Sequence, residues 1–162
     1  MSPYVHGLRV LFLDIDGVLQ CARTSAAAGA YTSSHTYHSQ PERLDWTAIG
    51  MLRGLCMAGD IQVVLSSSWR TGMGPAELTK LAAFLGLPIV DATPAGWRER
   101  GLEIAEWLHR RGQEVEYAIL DDSADMLAEQ MPRLVQTSGD DGLPPRRVKP
   151  RPSGRGGIAH RA

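Results

Sequence analysis

Every apolar, β-branched run in this chain stops on residues that carry charge or hydroxyl groups. Val10–Leu13 runs into Asp14-Ile15-Asp16-Gly17, and Ile61–Leu65 into Ser66-Ser67-Ser68-Trp69-Arg70. Ile89-Val90 stops at Asp91, and Val115–Leu120 at Asp121-Asp122. Short continuous runs of this kind suit strands buried on both faces. Between them lie helical spacings: Leu44, Ala48, Met51, Leu52 and Leu55 after Pro41; a segment from Pro75 to Leu85; and Leu102, Ile104, Ala105 and Leu108 after Arg100. A further short helix is predicted over Ser123–Gln130 and a fifth strand over Leu134–Thr137. Strands alternating with helices make an α/β fold with a central, mainly parallel sheet. In such a sheet the strands' C-terminal ends share one edge, so the polar termini are expected to meet in one crevice.

The 162 residues suffice for one domain with a real core, and 43% hydrophobic with 22% charged residues is ordinary for a globular chain. A net charge of −1 gives no whole-chain argument for nucleic acid, but the charge is unevenly spread. Six of the 17 basic residues (Arg146, Arg147, Lys149, Arg151, Arg155 and Arg161) follow Gly142 with no acid among them, which leaves 11 basic against 18 acidic residues before it. The expected organisation is a domain over 1–142 and a basic, Pro- and Gly-rich, disordered tail over 143–162, open to weak nucleic-acid contact. Gln20–Gln40 lacks a sustained period and leaves directly from the two aspartates, so it reads as a flap over them. Cys21 and Cys56 have no metal or redox spacing and read as reduced thiols. With neither a signal peptide nor an apolar run near the length of a membrane span, the expected location is the cytoplasm.

Two carboxylates two residues apart repel each other and need a cation or a proton to coexist. Asp14 and Asp16 at a strand end, with Asp121 and Asp122 on the same edge, form a set of oxygen ligands suited to magnesium. Serine hydroxyls, backbone amides and an arginine can hold the oxygens of a phosphoryl group. Together these parts point to magnesium-assisted phosphoryl transfer.

The same residues resemble a known family. Asp14-Ile15-Asp16-Gly17-Val18-Leu19 is similar to the first motif of the haloacid dehalogenase-like (HAD) superfamily of phosphohydrolases, Ser66 to its second, Arg100 to its third and Asp121-Asp122 to its fourth. Leu65–Arg70, Thr93-Pro94, Arg100–Ile104, Trp107-Leu108 and Gly142-Leu143 resemble, more narrowly, small HAD domains found alone or fused to RNA-repair proteins. The resemblance implies a three-layer, Rossmann-like fold without a separate cap domain. It implies that Asp14 is the nucleophile that forms an aspartyl-phosphate and that Asp16 is the acid and base. Magnesium would be held by Asp14, the backbone carbonyl of Asp16 and Asp122, supported by Asp121 or Asp125. Ser66 or, one residue on, Ser67 would bind the phosphoryl group. Arg100 stands where the superfamily usually has lysine, with Arg98 and Arg70 as competing cations. The implied substrate is a phosphate monoester, whether small molecule, nucleotide or nucleic-acid end. The alternative is a non-catalytic phosphate- or nucleic-acid-binding module, or a subunit of a nucleic-acid repair assembly. Trp69 and Trp107 are read as core, and Tyr31, His35, Tyr37 and His38 as exposed loop residues.

Overall fold

The computed structural model describes residues 7–29, 41–96 and 99–144. Five strands, β1 (Leu8–Leu13), β2 (Gln62–Leu65), β3 (Ile89–Ala92), β4 (Val115–Asp121) and β5 (Leu134–Gln136), form one sheet in the order β3-β2-β1-β4-β5. Every pairing is parallel. The helices are α1 (Ala22–Ala27), α2 (Trp46–Gly59), α3 (Pro75–Leu85) and α4 (Arg100–Arg111). This is the expected α/β architecture, and among the described residues there is no separate cap domain. None of the described helices is long and apolar enough to cross a membrane.

The period-two alternation of a strand divides the core between the two faces of the sheet. Leu11, Leu13, Val63 and Leu65 pack with Ala48, Ile49, Leu52 and Cys56 of α2 and with Leu81 and Leu85 of α3. Val10, Phe12, Val64 and Ile119 pack with Ile104 and Trp107 of α4. Phe12 meets the Trp107 ring edge-on at 5.3 Å, a geometry that aromatic quadrupoles favour. The chain moves from β1 through β2 to β3 in one direction, then crosses under α4 to β4 on the other side of β1. The order therefore reverses between β1 and β4, where ligands of open α/β sheets bind.

Register sets the crevice. Leu13 lies opposite both Leu65 and Leu120, and one step further on Asp14 N donates to Leu120 O at 2.9 Å and Ser66 N to Leu13 O at 2.9 Å. Asp14, Ser66 and Asp121 thus stand level, each one residue past the same row of the ladder.

Three elements differ from the sequence reading. The helix expected from Pro41 begins at Trp46, because Asp45 caps it through Oδ1 to Ala48 N at 3.0 Å. Pro41–Arg43 is instead a 3-10 turn, and Leu44 is drawn into a bridge with Gln20. The flap expected to be structureless starts with α1, while its residues 30–40, with Tyr31, His35, Tyr37 and His38, lie outside the described residues.

No helix forms over Ser123–Gln130. Asp121 Oδ1 takes Ser123 N at 2.9 Å, Ser123 Oγ takes Asp125 N at 3.1 Å, and Gln130 Oε1 takes Leu127 N at 3.0 Å. Side chains have replaced the carbonyls that a helix would use. Leu143, placed by the sequence at the head of the tail, is buried at 2% exposure and its N donates to Val18 O. Residues 145–162 of the tail lie outside the described residues.

Candidate active site

Asp14 is buried just past β1, its Oδ1 accepting from its neighbour's amide, Ile15 N, at 2.8 Å. Burial raises its pKa, opposed by the charge of Arg100 and a hydrogen bond from Ser67. Asp121, the last residue of β4, is fully buried. Its Oδ2 has no hydrogen-bond partner among the described residues, and burial followed by the charge of Asp14 pushes its pKa up to about 6. Asp122 is half-buried beside them. One carboxylate oxygen each from Asp14, Asp121 and Asp122 lies within 4.8 Å of the other two.

Asp16 does not join this trio. It is exposed, and its Oδ2 accepts from Trp69 Nε1 at 3.1 Å. Any share of Asp16 in metal binding is left to its backbone carbonyl, as the resemblance implies. Asp125 does not support the acids either. Its Oδ2 accepts from Arg100 N at 3.3 Å and its carbonyl from Gly101 N at 3.0 Å, so it caps α4.

Gly17 explains how Asp122 reaches the group. Its φ is +76°, a conformation that glycine adopts without steric cost, and a Cβ built there would lie 2.2 Å from Asp122 Oδ2. Gly101 has a similar task at the start of α4, where a Cβ would lie 2.5 Å from Leu127 N. The irregular segment after β4 therefore rests directly on the first turn of α4, the turn that carries Arg100.

Arg100 occupies the first position of α4. Its Nη1 donates to Ser66 O and lies 3.6 Å from Asp14 Oδ1 and 3.4 Å from Asp121 Oδ2. Arg98 lies outside the described residues. Arg70, the third cation, serves another purpose. It is 7% exposed and donates to Thr93 O at 2.9 Å, Ser66 O at 2.6 Å, Ser67 O at 2.5 Å and Pro94 O at 3.1 Å. It also pairs with the buried carboxylate of Glu103, whose other oxygen takes Gly96 N at 3.0 Å. Arg70 is a clamp between the β2 loop, the β3 loop and α4.

The two serines also part company. Ser67 Oγ accepts from Trp69 N at 3.3 Å and lies near enough to Asp14 to help lower its pKa. Ser66 Oγ is fully buried without a hydrogen-bond partner among the described residues. A groove of about 210 Å3, lined in part by Ser68, Thr71, Gly96, Arg100 and Ser123, adjoins the group.

The structure thus brings together Asp14, Ser66, Ser67, Arg100, Asp121 and Asp122, and holds Asp16 at their border. Sequence reasoning missed Glu103 and the hydrogen bond made by the indole of Trp69. Neither had a local signal, because their partners lie 33 and 53 residues away.

Three carboxylates facing one arginine leave negative charge in excess. Burial above all, with the neighbouring acids adding to it, holds the pKa values of Asp14 and Asp121 above the ordinary carboxylate value. The donor set is all oxygen and fits a hard divalent cation.

No curated protein matches the chain. A family model does: that of the HAD domain in Swiss Army Knife RNA repair proteins, over residues 10–148. The match begins within β1 and includes every acid of the trio, and the chain belongs to this family of HAD domains.

Proposed function

We propose that this domain is a magnesium-dependent phosphohydrolase that cleaves phosphate monoesters through an aspartyl-phosphate on Asp14. The observation that carries the reading is the buried Asp14 carboxylate, held between Arg100 and the Asp121–Asp122 pair at the β1/β4 reversal. Asp14, Asp121 and Asp122, with the backbone carbonyl of Asp16, would hold Mg2+. Bound there, the ion neutralises charge on the phosphoryl oxygens.

The protein's own groups then divide the work. An oxygen of Asp14 attacks phosphorus as the ester P–O bond breaks, and Asp16 gives its proton to the departing oxygen. A water then attacks the aspartyl-phosphate and loses its proton to Asp16, which regenerates the Asp14 carboxylate and releases inorganic phosphate. Arg100 and Ser66 bind phosphoryl oxygens. Ser66 takes this role over Ser67 because, among the described residues, its hydroxyl has no hydrogen-bond partner. Arg70, locked in its clamp, does not.

A site with no separate cap domain among the described residues suits bulky substrates. Nucleotides and phosphorylated nucleic-acid ends are the proposed classes, in keeping with the RNA-repair setting of the family. The free, buried Cys21 and Cys56 are in keeping with a reducing, cytoplasmic location.

The deciding measurement is phosphate release with Mg2+ from nucleotides, sugar phosphates and oligonucleotides bearing 3′ or 5′ phosphates. Turnover by the native protein should fall by about 10^3-fold or more in Asp14→Asn and vanish with a chelator. Native protein no faster than that variant on every substrate would leave a binding module instead.

A further inference from the structure

We propose that Trp69 is a positioning residue for Asp16, its indole N–H orienting the carboxylate that exchanges the proton with the leaving group. The inference rests on the phosphohydrolase reading and adds a part to the same site. Asp16 lies on the exposed rim, where a carboxylate on two rotatable bonds would ordinarily sample several orientations. Its backbone is already fixed, since Asp16 bridges to Gln20 and Gly17 N donates to Gln20 O at 2.6 Å. The indole fixes the side chain as well, with Trp69 Nε1 donating to Asp16 Oδ2 at 3.1 Å.

The donor itself is rigid. Trp69 is 2% exposed and packs in the cluster that covers the α2 and α3 face of the sheet. It sits in the 3-10 turn Ser68–Arg70, whose start is capped by Ser67 Oγ on Trp69 N. The next residue is Arg70, anchored by the Thr93, Ser66, Ser67 and Pro94 carbonyls and by Glu103. A chain of fixed groups therefore runs from α4 through Glu103, Arg70 and Trp69 to Asp16. Packing alone needs only an apolar ring at position 69. An N–H turned out of the core onto the acid serves orientation, and orientation to within an ångström is what proton transfer requires.

The test is Trp69→Phe, which keeps an aromatic ring and removes the N–H. Its kcat/KM should be measured on p-nitrophenyl phosphate, whose leaving group departs without a proton, and on an alkyl phosphate, whose leaving group needs one. A positioning role predicts a loss of about 10–100-fold on the alkyl ester, a fraction of what a general acid supplies. On the aryl ester kcat/KM should stay within about threefold. Equal losses on both esters, or no loss on either, would overturn the proposal.

A double cycle sharpens it. In an Asp16→Asn background, Trp69→Phe should lower residual alkyl-ester kcat/KM no further, and a repeat of the loss seen in the native background speaks against action through Asp16. Should Trp69→Phe not fold, Asp16→Ala supplies the readout with all four tryptophans in place. One indole N–H resonance must shift in its spectrum, and four unmoved resonances overturn the contact. Absence of turnover in the native protein would instead count against the phosphohydrolase reading.

Discussion

Two arginines converge on the same carbonyl, that of Ser66, and their surroundings differ in kind. Arg70 is buried with a carboxylate partner, and its Nε and both terminal nitrogens donate to acceptors. Arg100 donates to Ser66 O, but stands 3.4–3.6 Å from two acids, one of which has an oxygen with no hydrogen-bond partner among the described residues. A satisfied buried pair holds a structure together, whereas an incompletely satisfied one destabilises it and is retained where a ligand completes it. The same side chain thus serves as a fastener at one place and, a few ångströms away, as half of the proposed binding site.

Breaking the fastener should have the largest effect. Arg70→Met leaves Glu103 buried without its cation, which costs about 3–5 kcal/mol. Denaturant unfolding should show that loss with Mg2+ present or absent. Arg100→Met should do the reverse. Phosphomonoester kcat/KM falls by about 10^2–10^3-fold, as when a charge-stabilising donor is removed from an active site, while unfolding with Mg2+ present moves by less than about 1 kcal/mol. If the two variants gave the same pattern, the division between clamp and site would be wrong.

The smallest effect is a pH dependence. The Asp121 pKa, at about 6 in the fold, lies above its ordinary value of 3.8. A folded pKa that is raised favours the protonated form, so its contribution to stability is full below pH ~4 and is lost as pH rises through about 6. Metal-free protein should therefore lose about 2 kcal/mol, or ~4–8 °C in Tm, between pH 4 and 7. Asp121→Asn should flatten that slope. Cation affinity should rise over the same interval, because the ionised trio is the proposed ligand set. A metal-free Tm indifferent to pH would show that the acids are not held against their charge.

Much of this was legible in the sequence because it is local. Strands that stop on Asp14, Ser66 and Asp121 announce themselves by composition, and parallel pairing then levels them without further instruction. Arg100 could be placed because a helix start is also a local signal. What escaped depends on contacts between distant residues. Arg70 looked like a free cation beside a serine loop, since nothing near it reveals that Glu103 lies underneath. Trp69 was read as core, which its burial supports, but composition cannot show which way an indole N–H points. The helix expected over Ser123–Gln130 failed because Asp121, Ser123 and Gln130 offered the backbone closer acceptors than the helix could.

The close approach of Asp122 to Gly17 has a consequence for descent as well as for chemistry. Every other amino acid brings a Cβ, which at this position would coincide with the Asp122 carboxylate. Position 17 therefore has no neutral neighbours in sequence space: one substitution would divorce the sheet, which survives, from the acid trio, which does not. A relative that has exchanged this glycine, yet retains all its aspartates, is predicted to have kept the architecture while abandoning the proposed reaction. Position 17 separates working from retired copies where a tally of the acids would not.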